Sequence, residues 1–285
     1  MKKILLCTDG SPYAEVCCRY AAWLAKRTHA NIEAIYASDL RQFELSVVAD
    51  LSGCMGIQPY QGMISQIQQM EAQKSDMIEA GTRSYFESQG LGSQFKFHTA
   101  TGLLVDRIEE LEKQHPDIDL VMLGKRGENA NFATEHLGSS MERVVRASRK
   151  PSLVTSRKFH EIKKILFAYD GSDSCKKALQ LLCRTDAFKD LELHVVTIDD
   201  GGRSDHQADQ ILKEAQLLLE QSNWKPTCEV LTGLAENVIA DYVVSQGMDI
   251  LIMGAYGHSR IRHLIIGSTT TDLIRRCHIS VLLFR

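Results

Sequence analysis

Residues 2–11 read KKILLCTDGS, and residues 163–172 read KKILFAYDGS. Each is an apolar run that stops at Asp-Gly-Ser, the pattern of a buried strand followed by a turn. The repetition continues beyond these ten residues. TGLLVDRIEELEKQHPDIDLVMLGKRG, starting at Thr101, returns as TGLAENVIADYVVSQGMDILIMGAYG, starting at Thr232. HLGSSMERVVRASRKPSLVTSR (136–157) returns as IIGSTTTDLIRRCHISVLLFR (265–285). The chain is thus written twice, as residues 1–157 and 158–285, joined near KFHEI at 158–162. The second copy is shorter by about thirty residues, all missing between its second and third strands, so copy one carries an extra segment at about 40–75.

Each copy alternates apolar strands with helical patterns. In copy two the periodicity predicts strands at 163–169, 191–198, 226–231, 249–253 and 279–284. Helices are predicted from Ser172 to about Arg184, from about Ser204 to Ser222, and over 234–246 and 268–276. The strands are continuous Ile, Leu and Val, as expected when both sheet faces are covered. Strand–helix alternation with buried strands implies an α/β fold of two tandem, doubly wound, Rossmann-like domains with parallel sheets, one sheet per copy.

Bulk composition narrows the function classes. The 285 residues are 44% hydrophobic and 24% charged, enough for a sizeable core, with a net charge of −3 and no long basic run. General nucleic-acid binding needs a basic face and is not expected. No apolar run approaches a membrane span. MKKILLCTDGSP begins like a signal peptide, but its apolar run breaks at Thr8-Asp9-Gly10, so it reads as the first strand of a cytoplasmic protein. The eight cysteines form no C-x-x-C pair and no zinc-finger spacing. They read as buried free thiols, with Cys17-Cys18 as a redox pair the minor alternative.

In an open parallel sheet, ligands bind beyond the C-terminal strand ends, where the winding direction switches. Two polar loops of copy two sit at such ends: Asp170-Gly171-Ser172 after the first strand, and GAYGHSRIRHLIIGSTT (254–270) after the fourth. If strands one and four are neighbours, these loops face each other across a crevice. Gly254 and Gly257 allow a tight turn and close approach of a ligand. Gly267-Ser268-Thr269 opens a helix, whose unpaired N–H groups and partial positive charge suit phosphate. Arg260 and Arg262 add positive charge, and no acid opposes them between Gly254 and Asp272. The loop therefore reads as built for an anion, a phosphate chain above all. The plainer alternative is that the glycines are turns and Ser-Thr an ordinary helix cap.

The pattern G-x2-G-x9-G-(S/T) after a buried strand, together with a first strand ending in Asp-Gly-Ser, resembles the universal stress protein family. The resemblance covers nearly the whole chain, twice over, as in a tandem member. It implies a five-stranded parallel sheet per domain. It also implies adenine nucleotide binding, usually ATP, with or without Mg²⁺, and a role in stress adaptation. Copy two matches the nucleotide motif at Gly254, Gly257, Gly267 and Ser268. Carried over residue by residue, Asp170 lies against the adenosine half of the ligand, Val196 or Thr197 borders the adenine, and Met253 flanks the pocket. Gly257, Gly267, Ser268 and Thr269 hold ribose and phosphates, with His258 and Ser259 as further contacts that the motif does not fix.

Copy one departs from the pattern. Gly124, Gly127, Gly138 and Ser139 are present, but ten residues, not nine, separate Gly127 from Gly138. Glu128 and Glu135 cancel Lys125 and Arg126, whereas the copy-two loop carries about +2. In a partly dry crevice that difference is worth about a kcal/mol or more of phosphate affinity. Copy two is therefore the expected nucleotide site and copy one a degenerate second site, with Asp9 a helix-capping turn rather than a ligand contact.

Two further features stand out. In the extra segment, LSGCMGIQPYQGM reads as a loop and GMISQIQQMEAQKSDMIEAG as a helix with Met63, Ile67, Met70, Met77 and Ile78 on one stripe. The stripe reads first as a helix covering the sheet, and alternatively as an adaptable Met-lined surface for a partner. The last strand of each copy, PSLVTS and SVLLF, belongs at a sheet edge and invites pairing. In the resembled family such strands join two domains, so here the copies are expected to pair within one chain as a built-in dimer, with further homo-oligomers left open.

Three functions compete: a regulatory protein that binds ATP without rapid turnover, a slow ATPase or phosphotransferase, and a scaffold that binds no nucleotide. Phosphoryl transfer needs a metal site, a placed base and charge neutralisation. The sequence has no Walker lysine, and Asp170 alone near the motif is a candidate base or Mg²⁺ ligand. No catalytic residue and no dedicated metal site is assigned, and regulatory binding is the preferred reading.

Overall fold

A computed structural model describes residues 1–39, 60–127, 138–201, 205–255 and 267–285, with side chains from Ser65 and Gln207 onward in the two segments that begin in helices. Copy one runs β1 (Lys3–Cys7), α1 (Pro12–Thr28), β2 (Asn31–Ser38), α2 (Tyr60–Ser88), β3 (Phe95–Thr101), α3 (Leu104–Gln114), β4 (Ile118–Gly124), α4 (Ser139–Ala147) and β5 (Ser152–Thr155). Copy two runs β6 (Lys164–Ala168), α5 (Asp173–Arg184), β7 (Glu192–Asp199), α6 (Asp205–Gln221), β8 (Thr227–Thr232), α7 (Ala235–Gln246), β9 (Ile250–Gly254), α8 (Ser268–Arg276) and β10 (Ser280–Phe284). The elements expected in copy two are all present, within a residue or two at their ends.

The five strands of each copy are parallel, and the first and fourth strands are neighbours in both, through β1–β4 and β6–β9. The halves do not form separate sheets, however. β5 and β10 pair antiparallel, with Val154 opposite Val281 and Leu153 opposite Leu282, giving the order β3-β2-β1-β4-β5-β10-β9-β6-β7-β8. Each apolar edge strand hides its unpaired backbone groups against the other. Pro151, which lacks an N–H, stands just before β5 and accepts from Val121 N at 2.9 Å. The outer edges left to the fused sheet, FKFHTAT in β3 and TCEVLT in β8, alternate between covered and exposed positions.

Side chains alternate across the sheet and build one core on each face. Ile4, Leu6, Tyr20, Phe86, Phe167 and Phe188 belong to one core, and Leu5, Val121, Val145, Leu166, Leu251 and Val281 to the other. Both cores draw residues from both copies, so burial is continuous across the seam. Polar contacts also cross it. The Lys125 ammonium donates to the Cys277 carbonyl at 2.5 Å, and Arg285 Nη1 donates to the Arg146 carbonyl at 2.6 Å. Each cation thus meets the C-terminal end of the last helix of the opposite copy, α8 or α4, where the helix dipole is negative.

The helix of the extra segment is turned differently from expectation. Ile78 is buried and Ile67 half-buried, but Met70 and Met77 are each 69% exposed, and the Met63 side chain lies outside the described residues. Polar groups set the phase of α2. Glu71 accepts from Tyr36 Oη at 2.8 Å and Ser38 Oγ at 2.9 Å, and Ser75 and Thr99 share a 2.9 Å hydrogen bond. These partners pull the Ile67–Glu71–Ser75–Ile78 face onto the sheet and leave Met70 and Met77 roughly 110° round the helix from it. The loop expected before this helix falls mostly outside the described residues.

Among the described cysteines, Cys7, Cys17, Cys18, Cys175 and Cys277 are buried and Cys183 and Cys228 half-buried, all as free thiols. Burial pushes the Cys7, Cys18 and Cys175 thiols up to about 12 and raises Cys17 as well, which disfavours the thiolate that redox chemistry at Cys17-Cys18 needs. The native state holds these protons, while an unfolded thiol releases its own near 9.0. The stabilisation is complete below that value and disappears as pH rises through the folded values. Urea midpoints are therefore expected to fall steadily between about pH 9 and about pH 12. A midpoint unchanged across that range would contradict the burial of these thiols.

Candidate functional site

β6 and β9 lie side by side, with Ala168 opposite Met253, so the loops that follow them start from neighbouring strand ends. Asp170 forms the floor of the first loop: its Oδ1 accepts from Ser172 N at 2.9 Å, and Ser172 Oγ then accepts from Cys175 N at 3.3 Å, capping α5. Gly171 has φ +76° and packs on Ile211 of α6, so the turn requires glycine here. Asp9 and Ser11 repeat the arrangement in copy one, Oδ1 to Ser11 N at 3.0 Å and Ser11 Oγ to Ala14 N at 3.3 Å.

Gly254 plays a different part from the one its motif position suggests. A Cβ there would collide with Ser174 Oγ and lie 3.4 Å from Cys175 Sγ. Its missing side chain lets α5 close onto the end of β9 and is not free for a ligand. Met253 is 7% exposed. Val196 and Thr197 stand at the end of β7, beside β6, but neither exposes any side chain. Thr197 Oγ1 donates to the Tyr169 carbonyl at 2.9 Å, so its hydroxyl is already used. The accessible side chain at that strand end is Ile198, which is half-buried and was not singled out from the sequence. In a strand covered on both faces, apolar periodicity does not mark which residue clears the covering helices.

The opposite wall is the start of α8. Gly267 is its N-cap, with φ −55° and no side-chain cap, and its first turn carries no acid. A Cβ on Gly267 would meet only Thr270 Oγ1 at 3.6 Å and the Ala255 carbonyl at 3.8 Å. Thr270 Oγ1 donates to the Ala255 carbonyl at 3.2 Å and ties the helix start to the strand end. Ser268 is exposed and Thr269 half-buried at that terminus. Among the described residues, then, no side-chain cap and no first-turn acid stands at this helix N-terminus, whose backbone N–H groups and positive dipole end have the character that suits an anion. Gly257, His258, Ser259, Arg260 and Arg262 lie outside the described residues.

The described ends of the copy-one loop, Gly124–Gly127 and Gly138, lie close together. The Gly138 N–H donates to the Lys125 carbonyl at 3.1 Å, and a Cβ on Gly127 would lie 2.7 Å from Asp9 Oδ2. Gly124 carries the close packing of α1, since a Cβ there would lie 2.8 Å from Tyr13 Cβ. Ser139 opens α4 behind Gly138, again without a side-chain cap. Lys125, counted from the sequence among the loop charges, spends its ammonium on the Cys277 carbonyl across the seam. Burial pushes that ammonium down to about 8, against a smaller opposing effect of Cys277. Sequence periodicity held no sign of this contact, because its partner is 152 residues away in another helix.

Among the described residues, no group of three His, Cys, Asp or Glu side chains is placed to hold a metal ion, and no helix is long and apolar enough to cross a membrane.

Known proteins of similar sequence and shape agree with this architecture. The profile of the universal stress protein family matches residues 1–156 and 161–285. A universal stress protein of Synechocystis sp. is 42% identical over 292 residues, covering 100% of both chains. A universal stress protein of Methanocaldococcus jannaschii is 22% identical over 139 residues, covering 43% of this chain and 82% of its own. Among solved structures, a universal stress protein from Archaeoglobus fulgidus DSM 4304 superposes with a TM-score of 0.69 at 18% identity, covering 99% of this chain and 95% of that one. Two family matches that between them span nearly every residue, and a full-length relative at that identity, have one meaning: the chain belongs to the universal stress protein family, as a tandem member with two such domains.

Proposed function

We propose that the crevice of copy two binds an adenine nucleotide, ATP in the first place, as a regulatory ligand that is not rapidly turned over. The observation that carries this reading is the start of α8. It is a glycine-capped helix end without a side-chain cap or first-turn acid, tied by Thr270 to the end of β9, whose neighbour β6 leads into the Asp170 turn. Such an end offers N–H donors and positive potential to a phosphate chain. Gly267, Ser268 and Thr269 are the residues that would hold phosphates, and the Asp170 turn would lie towards the adenosine. Val196, Thr197 and Met253 would act as buried backing to the adenine side. Gly257, His258 and Ser259 belong to the same proposed loop. The family to which the chain belongs supports the same ligand class.

Copy one is read as a degenerate site, since its Gly138 N–H and Lys125 ammonium are already engaged. An enzymatic role gains no support from Asp170, whose carboxylate is occupied as a turn cap.

The first test is the nucleotide content of the purified protein, followed by calorimetric titration with ATP and Mg²⁺. One nucleotide per chain, without Mg²⁺-dependent phosphate release, is the expected result. No bound nucleotide and no heat of binding would favour the scaffold reading, and phosphate release that depends on Asp170 would favour the hydrolase.

A further inference from the structure

The two copies differ at one buried position near the start of their second strands. Leu5 of β1 pairs with Glu33 of β2, and its repeat counterpart Leu166 of β6 pairs with His194 of β7, so Glu33 and His194 occupy the same place. In copy one that place holds an ion pair, with Lys3 Nζ 2.8 Å from Glu33 Oε1 and both side chains nearly covered. In copy two it holds a group that can take up a proton. His194 is 6% exposed, and both ring nitrogens are engaged, Nε2 with Glu192 Oε1 at 2.7 Å and Nδ1 with Tyr242 Oη at 2.8 Å. Tyr242 comes from α7, and its repeat counterpart in α3 of copy one is Leu111. The cluster lies near the start of β7, away from the strand ends that carry the proposed crevice.

Each neighbouring element brings a charged or titratable group to the cluster. Lys164 of β6 lies 3.4 Å from Glu192 of β7, and Glu229, exposed on the edge strand β8, stands beside the Tyr242 hydroxyl of α7. The contact with His194 holds the Glu192 carboxyl below its usual range, and Lys164 adds to this. An ionised carboxylate only accepts. The neutral ring therefore carries its proton on Nε2, towards Glu192, and accepts from the Tyr242 hydroxyl at Nδ1. Burial, and then the carboxylates of Glu229 and Glu192, raise the Tyr242 phenol, so it keeps its proton. A second proton on the ring reverses one bond. Nδ1–H then donates to Tyr242 Oη, and the phenol proton needs another acceptor, which Glu229 supplies.

We propose that His194, Tyr242 and Glu229 form a proton-responsive latch in copy two, in which a proton taken up by the imidazole turns the Tyr242 hydroxyl from His194 to Glu229. The proton comes from solvent and binds Nδ1, and the phenol proton stays on its own oxygen throughout. A buried polar group left unpaired is costly, and the hydroxyl avoids this in both states because an acceptor stands on either side of it. The neutral latch joins α7 to β7, and the charged latch joins α7 to β7 and β8 together. Copy one, with Glu33 and Leu111 at these places, has neither switching group.

Nitrogen NMR of the full chain with labelled histidine rings tests this, by titration between about pH 8 and about pH 5, where histidine changes charge. The His194 signals are identified by their loss in His194→Gln. They are expected to pass from a ring protonated at Nε2 alone to one protonated at both nitrogens. Tyr242→Phe keeps the packed ring and removes the hydroxyl. It is expected to move the midpoint down by about half a pH unit or more, because the charged ring loses a stronger hydrogen bond than the neutral one. Glu229→Gln, at an exposed side chain, is expected to move it down as well. In the double variant the Glu229→Gln shift should disappear, since its effect runs through the hydroxyl. The proposal is overturned if His194 stays in one charge state across the range, or if Tyr242→Phe leaves the midpoint in place or raises it. It is equally overturned if Glu229→Gln has no effect in the native chain, or the same effect in Tyr242→Phe as in the native chain. ATP binding plays no part in this readout, so the latch and the nucleotide reading stand or fall separately.

Discussion

Gly267→Val is expected to abolish nucleotide binding while the chain stays folded. Folding tolerates the change because φ is −55° and a Cβ at that position meets only ordinary contacts, at 3.6 and 3.8 Å. A valine at an N-cap costs about a kcal/mol or less relative to glycine. The two added methyls, however, stand beside the first-turn N–H groups of α8 that are proposed to receive phosphate. Affinity for ATP should fall by about 100-fold or more, equivalent to about 2.7 kcal/mol. Gly138→Val in copy one should leave ATP binding alone but lower stability, since a Cβ there already lies 3.4 Å from Arg126 Cα and from the Lys125 carbonyl. Titration calorimetry and thermal melts on the same preparations check both. Full ATP affinity in Gly267→Val, or its loss in Gly138→Val, would remove the site from copy two.

Leu282→Ala is expected to destabilise the whole chain by about 2–5 kcal/mol, the range for a buried leucine that leaves a cavity. Leu282 is 3% exposed and stands opposite Leu153 in the strand pair that joins the halves among the described residues. A loss of that size is a large part of the total stability of a typical protein. Because one sheet and both cores run through the seam, the two copies should unfold together. The chain has two tryptophans, one in each half, Trp23 and Trp224. Trp224 is buried with Nε1 donating to the Leu182 carbonyl at 3.0 Å, and Trp23 packs across the seam on Phe188 at 6.1 Å. In single-tryptophan variants, Trp224 (in Trp23→Phe) therefore reports copy two, and Trp23 (in Trp224→Phe) reports copy one together with its contact across the seam. Coincident urea midpoints, shifted together by Leu282→Ala, are the expected result. Separate midpoints would mean that the halves fold independently despite the shared sheet.

The α2 stripe marks one limit of a sequence reading. Met70 and Met77 have the spacing of a buried face, and apolar spacing by itself favours burying them. Glu71 and Ser75 hold the phase instead, through Tyr36, Ser38 and Thr99 on strands β2 and β3. Those hydrogen bonds satisfy polar groups that would be costly to bury unpaired, and no helical pattern reveals partners on another element. Gly254 marks a second limit. Its place in the motif suggested ligand approach, whereas the packed α5 shows helix-to-strand closure.

What the sequence determined by itself was everything that repeats locally. The two copies, the buried parallel strands, the Asp-Gly-Ser turns after the first strands and the glycine opening of α8 all follow from period, turn chemistry and internal likeness, which short-range physics sets. What the tertiary structure alone decided was whatever depends on residues far apart. The fusion of two sheets into one, the reach of Lys125 to Cys277 and the phase of α2 each need a partner that only folding brings near. Edge strands satisfy their backbone groups against whichever edge is closest, and cations settle at whichever helix end is open. That choice is made in space and leaves no period in the chain.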